Sequence, residues 1–268
     1  MGLSQRQHAM LRAVAGQAVS GAAWTPASLG SQLKLWFDAT QITATNGELL
    51  TTWPDKSGNA YDGTNAVANA AQYGTNIQNG NPAVRFTGTS RFLLGAVGAR
   101  SLAAGLAHGT IYITMCDTNP SAGTAFHPIF SFSTAADASI IKVALDSKQN
   151  NSRIVGANAR RFDTDLRVAA NMTFTNNLSW HYVAGVWNYT NNTVQAFYDS
   201  TNSPAAALSG SGPSTNTASL ECSIGYFFGG PAQYFNGYIG EIIMVTNALT
   251  SAEHTSITNY LRQKWATP

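Results

Sequence analysis

The stretch Asn236–Trp265, NGYIGEIIMVTNALTSAEHTSITNYLRQKW, decides the fold. Its first half, Tyr238–Val245, is an apolar run carrying Ile239, Ile242, Ile243, Met244 and Val245. The run is too short for an ordinary buried helix and is rich in β-branched residues, so it reads as a strand. Because both of its faces are largely apolar, the strand is expected in the middle of a sheet, covered on both sides. The second half carries helix signals. Thr250 and Glu253 form a T-x-x-E capping box, in which the hydroxyl accepts from the Glu253 amide and the carboxylate reaches back. Ile257, Tyr260, Leu261 and Trp265 fall on one helical stripe. Arg262 and Lys264 sit in the last turn, where cations complement the helix dipole.

Working outward, Leu33–Asp38, Ala83–Thr87, Arg91–Leu94 and Thr110–Cys116 read as strands, as do His127–Ser133, Ser139–Leu145 and Ser152–Ala157. Trp180–Trp187 and Thr193–Asp199 flank the turn-rich Asn188–Asn192 and read as a hairpin. Ser219–Gly225 is a further strand, and Ala44–Gly80 reads as long loops with short strands. Many short strands between turn residues argue for an antiparallel sandwich.

Three segments together resemble a known family. These are the G-Y-I-G-E-I-I-M-V…Y-L-x-x-K-W ending, Trp53–Asp62 (WPDKSGNAYD) with Asn81–Thr89 (NPAVRFTGT), and Trp180–Trp187 (WHYVAGVW). The chain resembles the laminin-G-like, concanavalin A-type lectin/glucanase modules of bacterial and tailed-phage proteins. The resemblance spans about Leu33 to Trp265 and implies an all-β, antiparallel jelly-roll β-sandwich with a C-terminal helix. Function does not follow from such a fold.

Only 10% of the residues are charged, where about a quarter is usual, while hydrophobic residues reach 44%. That excludes disorder and allows a sizeable core. Arg6 and Arg12 lie in the first thirty residues, which hold no acid; elsewhere thirteen bases balance thirteen acids. A neutral body excludes a nucleic-acid partner. No apolar run reaches the length of a membrane span, so no membrane partner is expected. No secretory leader is expected either, because Arg12 and Gln17 interrupt the apolar Ala9–Val19 and no small-residue cleavage site follows. Cys116 and Cys222 read as buried thiols, although a disulfide stays open if their strands are neighbours.

Residues 1–30 read as an N-terminal anchoring arm and 31–268 as the sandwich. Ser4 and Gln7 make a capping box. Leu3, Met10, Leu11 and Val14 are the apolar anchor of an expected helix over about Gln5–Ala18, which must be covered by something.

Chemistry is sparse. Glucanases of this fold carry E-x-D-x-x-E on one strand face, whereas Glu48, Glu221, Glu241 and Glu253 stand outside any such pattern. The plain reading of Glu241 is a partner for a nearby base or backbone donor. No G-x-S-x-G is present, and the five histidines show no metal-ligand spacing. Asp55, Asn59 and Asp62 could hold Ca²⁺ in their Gly-containing loop; the competing reading is a set of Asx turns. The aromatic loop Tyr226–Phe235, with Tyr226, Phe228 and Tyr234, offers stacking faces for a glycan, as does Tyr189. The same loop could instead pack on protein.

The combined expectation is a non-enzymatic virion surface protein of a tailed phage: a capsid decoration, fibre or tail-associated protein. It is held by its arm to other virion structural proteins, homo-oligomeric, and binds host cell-surface glycan. The alternatives are a secreted bacterial carbohydrate-binding lectin and a divergent glycoside hydrolase.

Overall fold

The computed structural model describes residues 23–118, 126–135, 138–147, 152–175, 178–227 and 234–268. The expected anchor residues Leu3, Met10, Leu11 and Val14 lie outside them. The first strands are β1 (Leu33–Asp38), β2 (Leu49–Leu50), β3 (Thr52–Trp53), β4 (Gly63–Thr64), β5 (Ala71–Gln78), β6 (Asn81–Thr87) and β7 (Phe92–Leu93). A short helix α1 (Val97–Arg100) precedes β8 (His108–Asp117), β9 (Phe126–Ala135), β10 (Ala138–Ser147), β11 (Ser152–Ala159) and β12 (Val168–Thr175). Then come β13 (His181–Asn188), β14 (Thr193–Tyr198), β15 (Thr201–Asn202), β16 (Ala206–Ala207), β17 (Glu221–Ile224) and β18 (Asn236–Val245), and the chain closes with helix α2 (Ser251–Trp265).

These strands form two antiparallel sheets packed as a jelly-roll sandwich. The first runs β15-β14-β13-β8-β18-β6-β5-β2, with β1 on β18 and β16 on β14; the second runs β12-β11-β10-β9-β17-β7-β4-β3. As its apolar faces require, β18 is central. On one edge it pairs with β8. On the other, Asn236–Ile239 pairs with β6 and Glu241–Val245 with β1.

Register places alternate residues on opposite faces. One face of the first sheet carries the row Phe37, Ile242, Ile113, Val183, and the second sheet answers with Phe92, Ile224, Phe130, Val143, Ala157. All are fully buried between the sheets. The other face of the first sheet carries Asp38, Glu241, Thr114 and Tyr182, with Trp36, Ile243, Tyr112 and Ala184 one step along. Helix α2 lies on this outer face and buries Ile257, Leu261 and Trp265 there. Its expected capping box is present, with both Thr250 and Glu253 bonds made.

Two sequence expectations need correction. Residues 24–30, assigned to the arm, pack on the sandwich. They lead through a 3-10 turn at Pro26–Gln32, Leu29 joins the core, and the Trp24 ring meets Tyr260 edge-on at 5.6 Å. Val168–Thr175, not read as a strand, forms β12, because Ala170 and Phe174 alternate inward against β11. The reading of both cysteines as buried thiols holds: Cys116 lies on β8 and Cys222 on β17, in different sheets, and both are free. Burial pushes the Cys116 thiol up to about 11.

Candidate functional site

Helix α2 covers the outer face of the first sheet only in part. Beside it, over β8, β13 and β14, a groove of about 300 Å³ opens. Tyr112, Tyr182, Val186 and Phe197 form its floor. They meet there because strand alternation sends each of them outward: Tyr112 is level with Ala184, Ala184 with Phe197, and Tyr182 with Thr114. One rim is the end of the β14 hairpin, Asp199 and Ser200; the other is the helix flank His254, Thr255, Thr258 and Arg262. His254, Thr258 and Arg262 are four residues apart and therefore share one helix face.

The polar groups of the groove differ in how fully they are used. Asp199 is buried, and both of its oxygens are engaged. Oδ1 accepts from the Tyr182 backbone N–H at 3.1 Å, and Oδ2 lies 2.7 Å from His181 Nδ1, whose Nε2 is 3.0 Å from Ser179 Oγ. Tyr112 Oη contacts His254 Nδ1. Burial pushes His254 below the usual imidazole value, opposed by Glu253. Burial also pushes the Tyr182 phenol up to about 12; Asp199 adds to this and Arg262 opposes it. Arg262 lines the groove beside this aromatic floor. It is exposed, and among the described residues its guanidinium makes no hydrogen bond or ion pair.

The sequence-predicted site residues are distributed differently. Asp55 is the centre of a closed turn: Oδ1 accepts from the Trp36 and Ser57 amides, and Oδ2 from Ser57 Oγ and the Tyr61 amide. Asp62 Oδ1 accepts from the Asp55 amide, and Asn59 Nδ2 donates to the Leu33 and Lys34 carbonyls. Both Asp55 oxygens and Asp62 Oδ1 therefore hold the chain's own donors, as in an Asx turn. Among the described residues no cluster of three His, Cys, Asp or Glu side chains is placed to hold a metal.

Tyr189 is also corrected. It is fully buried, and its hydroxyl donates to the Arg160 carbonyl at 3.1 Å, so it offers no face to a ligand. Tyr226 and Tyr234 do meet, with ring centroids 4.9 Å apart and Arg91 over the Tyr226 ring. Phe228 lies outside the described residues. The described residues Tyr226 and Phe227 contact the second sheet. The Tyr226 carbonyl accepts from the Ser131 and Ser223 hydroxyls, and the Phe227 ring sits 4.3 Å from Lys142 Nζ.

The groove residues escaped sequence reading because they come from separate elements and form no motif. The one regular signal was on the helix flank, where His254, Thr258 and Arg262 recur at i, i+4, i+8 along one edge of the apolar stripe.

No family model and no curated protein matches the chain. Solved structures do. Domain 4 of AbnA, an extracellular arabinanase from Geobacillus stearothermophilus, superposes with a TM-score of 0.58 at 14% identity, over 85% of this chain and 98% of that domain. The CBM40 domain of the Ruminococcus gnavus IT-sialidase gives 0.51 at 16% identity, over 66% of this chain and 96% of that one. Leech intramolecular trans-sialidase gives 0.50 at 19% identity over 64% of this chain, which spans only 26% of that enzyme. At such identities the likeness is one of fold: this chain has the lectin-like jelly-roll sandwich also found in carbohydrate-binding domains.

Proposed function

We propose that the chain is a glycan-binding module without catalytic activity, displayed on the surface of a tailed-phage particle. The observation that carries glycan binding is the groove beside α2. Its volume suits a small ligand, its floor is aromatic, and polar groups converge from two rims. Sugar C–H faces pack on the half-buried Phe197 and Val186, with the buried Tyr112 and Tyr182 beneath, while their hydroxyls meet the rims. The solved AbnA domain is in complex with arabinotriose and the CBM40 domain is bound to α2,3-sialyllactose, which supports a sugar as the class of ligand. Against hydrolysis stands Glu241, the acid embedded in the central strand. Its two oxygens accept from four donors, so it has no free lone pair to offer a glycosidic bond or water. The particle location is supported by the family resemblance, the apolar stripe in residues 1–18 and the low charge.

Glycan-array screening followed by calorimetric titration tests the first part. Phe197→Ala is expected to weaken binding about tenfold, the equivalent of an aromatic contact of ~1.5 kcal/mol. Retention of full affinity by both Phe197→Ala and Tyr182→Ala would place binding elsewhere. Deleting residues 1–22 tests the second part: the sandwich should stay folded and fail to incorporate into particles.

A further inference from the structure

We infer that the groove beside α2 selects sugars bearing a carboxylate, with Arg262 as the residue that reads it. This rests on the glycan-binding reading and names the ligand class. Two charged residues other than His254 face the groove, and they are not equivalent. Asp199 is buried, and each of its oxygens is taken by a donor of β13: the Tyr182 amide at 3.1 Å and the His181 ring at 2.7 Å. Its acceptors are turned into the strand pair. Arg262 is exposed on the helix rim and, among the described residues, has no hydrogen-bonding or ionic partner. It lines the same groove as Tyr182 and Phe197.

The hydroxyls on the helix rim are turned inward as well. Thr255 Oγ1 donates to the Ser251 carbonyl and Thr258 Oγ1 to the His254 carbonyl. The strongest unused donor on that rim is therefore a planar guanidinium, which matches a carboxylate through two parallel N–H···O bonds. A sugar ring lying on Phe197 would present an exocyclic carboxylate to it, as a uronate or a sialate does.

The test compares glucuronyl- and sialyl-terminated trisaccharides with their neutral methyl esters, by calorimetric titration of the full chain. The acid should bind at least about tenfold more tightly than its ester, the worth of hydrogen bonds to a charged group. Arg262→Gln should bring the acid down to the affinity of its ester, and Arg262→Lys should restore part of the preference. Raising the salt concentration should weaken the acid only. Equal binding of acid and ester, lost in Phe197→Ala, would overturn the inference and leave the glycan site standing. A preference that survives Arg262→Gln would overturn the role of Arg262. Failure of acids, esters and neutral oligosaccharides alike would overturn both the inference and the reading beneath it.

Discussion

Glu241 Oε2 lies 2.9 Å from Lys264 Nζ, joining the central strand β18 to the last turn of helix α2. The pair is the middle of a saturated network. Glu241 Oε1 accepts from Trp36 Nε1 at 2.6 Å and Tyr260 Oη at 2.8 Å, while Oε2 also accepts from Trp265 Nε1 at 2.8 Å. Lys264 Nζ reaches Asp38 Oδ2 at 2.7 Å. Burial pushes the Glu241 carboxyl above its usual range, and Lys264 opposes this. Such a pair costs little net stability while intact and much when halved. Glu241→Gln puts an amide N–H₂ among four donors and is expected to destabilise the fold by about 3 kcal/mol. Lys264→Met should cost a similar amount. Glu241→Gln combined with Lys264→Met should cost less than the sum of the two single changes. Urea midpoints of the four proteins decide this, and simple additivity would show that the two groups are independent.

The Asp55 turn yields a second prediction. Four donors converge on one carboxylate that is almost fully buried. Asp55→Ala leaves the Trp36 and Tyr61 amides without their acceptor and should cost about 2–3 kcal/mol. Millimolar calcium or a chelator should leave the melting temperature of the native chain unchanged. A calcium-dependent rise in melting temperature would restore the cation reading of Asp55, Asn59 and Asp62.

Much of the scaffold was legible in the chain, for a physical reason. β18 and α2 announce themselves because their signals are local: an apolar run of strand length, a capping box, a helical stripe. β12 was not legible, because Ala169, Ala170 and Asn171 have low strand propensity and are held in place by β11 across the ladder. Glu241 was read as a structural acid from its isolation in an apolar strand, yet its four donors come from β1 and α2, far away in sequence. Tyr189 sits in a turn-rich loop that suggests exposure, but Arg161 and Arg160 draw it inside: its ring lies 5.5 Å from the Arg161 guanidinium and its hydroxyl bonds the Arg160 carbonyl. The groove is the extreme case, since Tyr112, Tyr182, Phe197 and Arg262 become neighbours only through sheet register and helix docking.

His254 sets a pH dependence of defined sign. Burial depresses its folded-state pKa, so between the ordinary imidazole value of about 6.5 and the lower folded value the unfolded chain binds more protons. Stability should be full above pH ~6.5 and fall as the pH drops through that window. Melting curves at pH 7.5 and 5.5 measure it. His254→Gln should flatten the fall across that interval, whereas a fall of undiminished size in the variant would assign the titration to another group.

Gly240 supplies the last prediction, and it tests how tightly α2 is seated. A Cβ at this position would come within 2.7–2.8 Å of the Trp265 ring. The ring has no room to retreat. Trp265 is fully buried, stacks on Trp180 at 5.5 Å with only 8° between planes, and donates its indole N–H to Glu241. Relief would require moving the helix end and stretching that bond. Gly240→Ala should therefore destabilise by about 1–3 kcal/mol, as overpacking of a closed core does. Gly95→Ala, where the added methyl meets nothing within 4 Å, is the matched control; it should stay within about 0.5 kcal/mol, as surface changes do. If Gly240→Ala were as mild as Gly95→Ala, Trp265 would have to be free to shift, and the helix could not be the fixed rim that the groove requires.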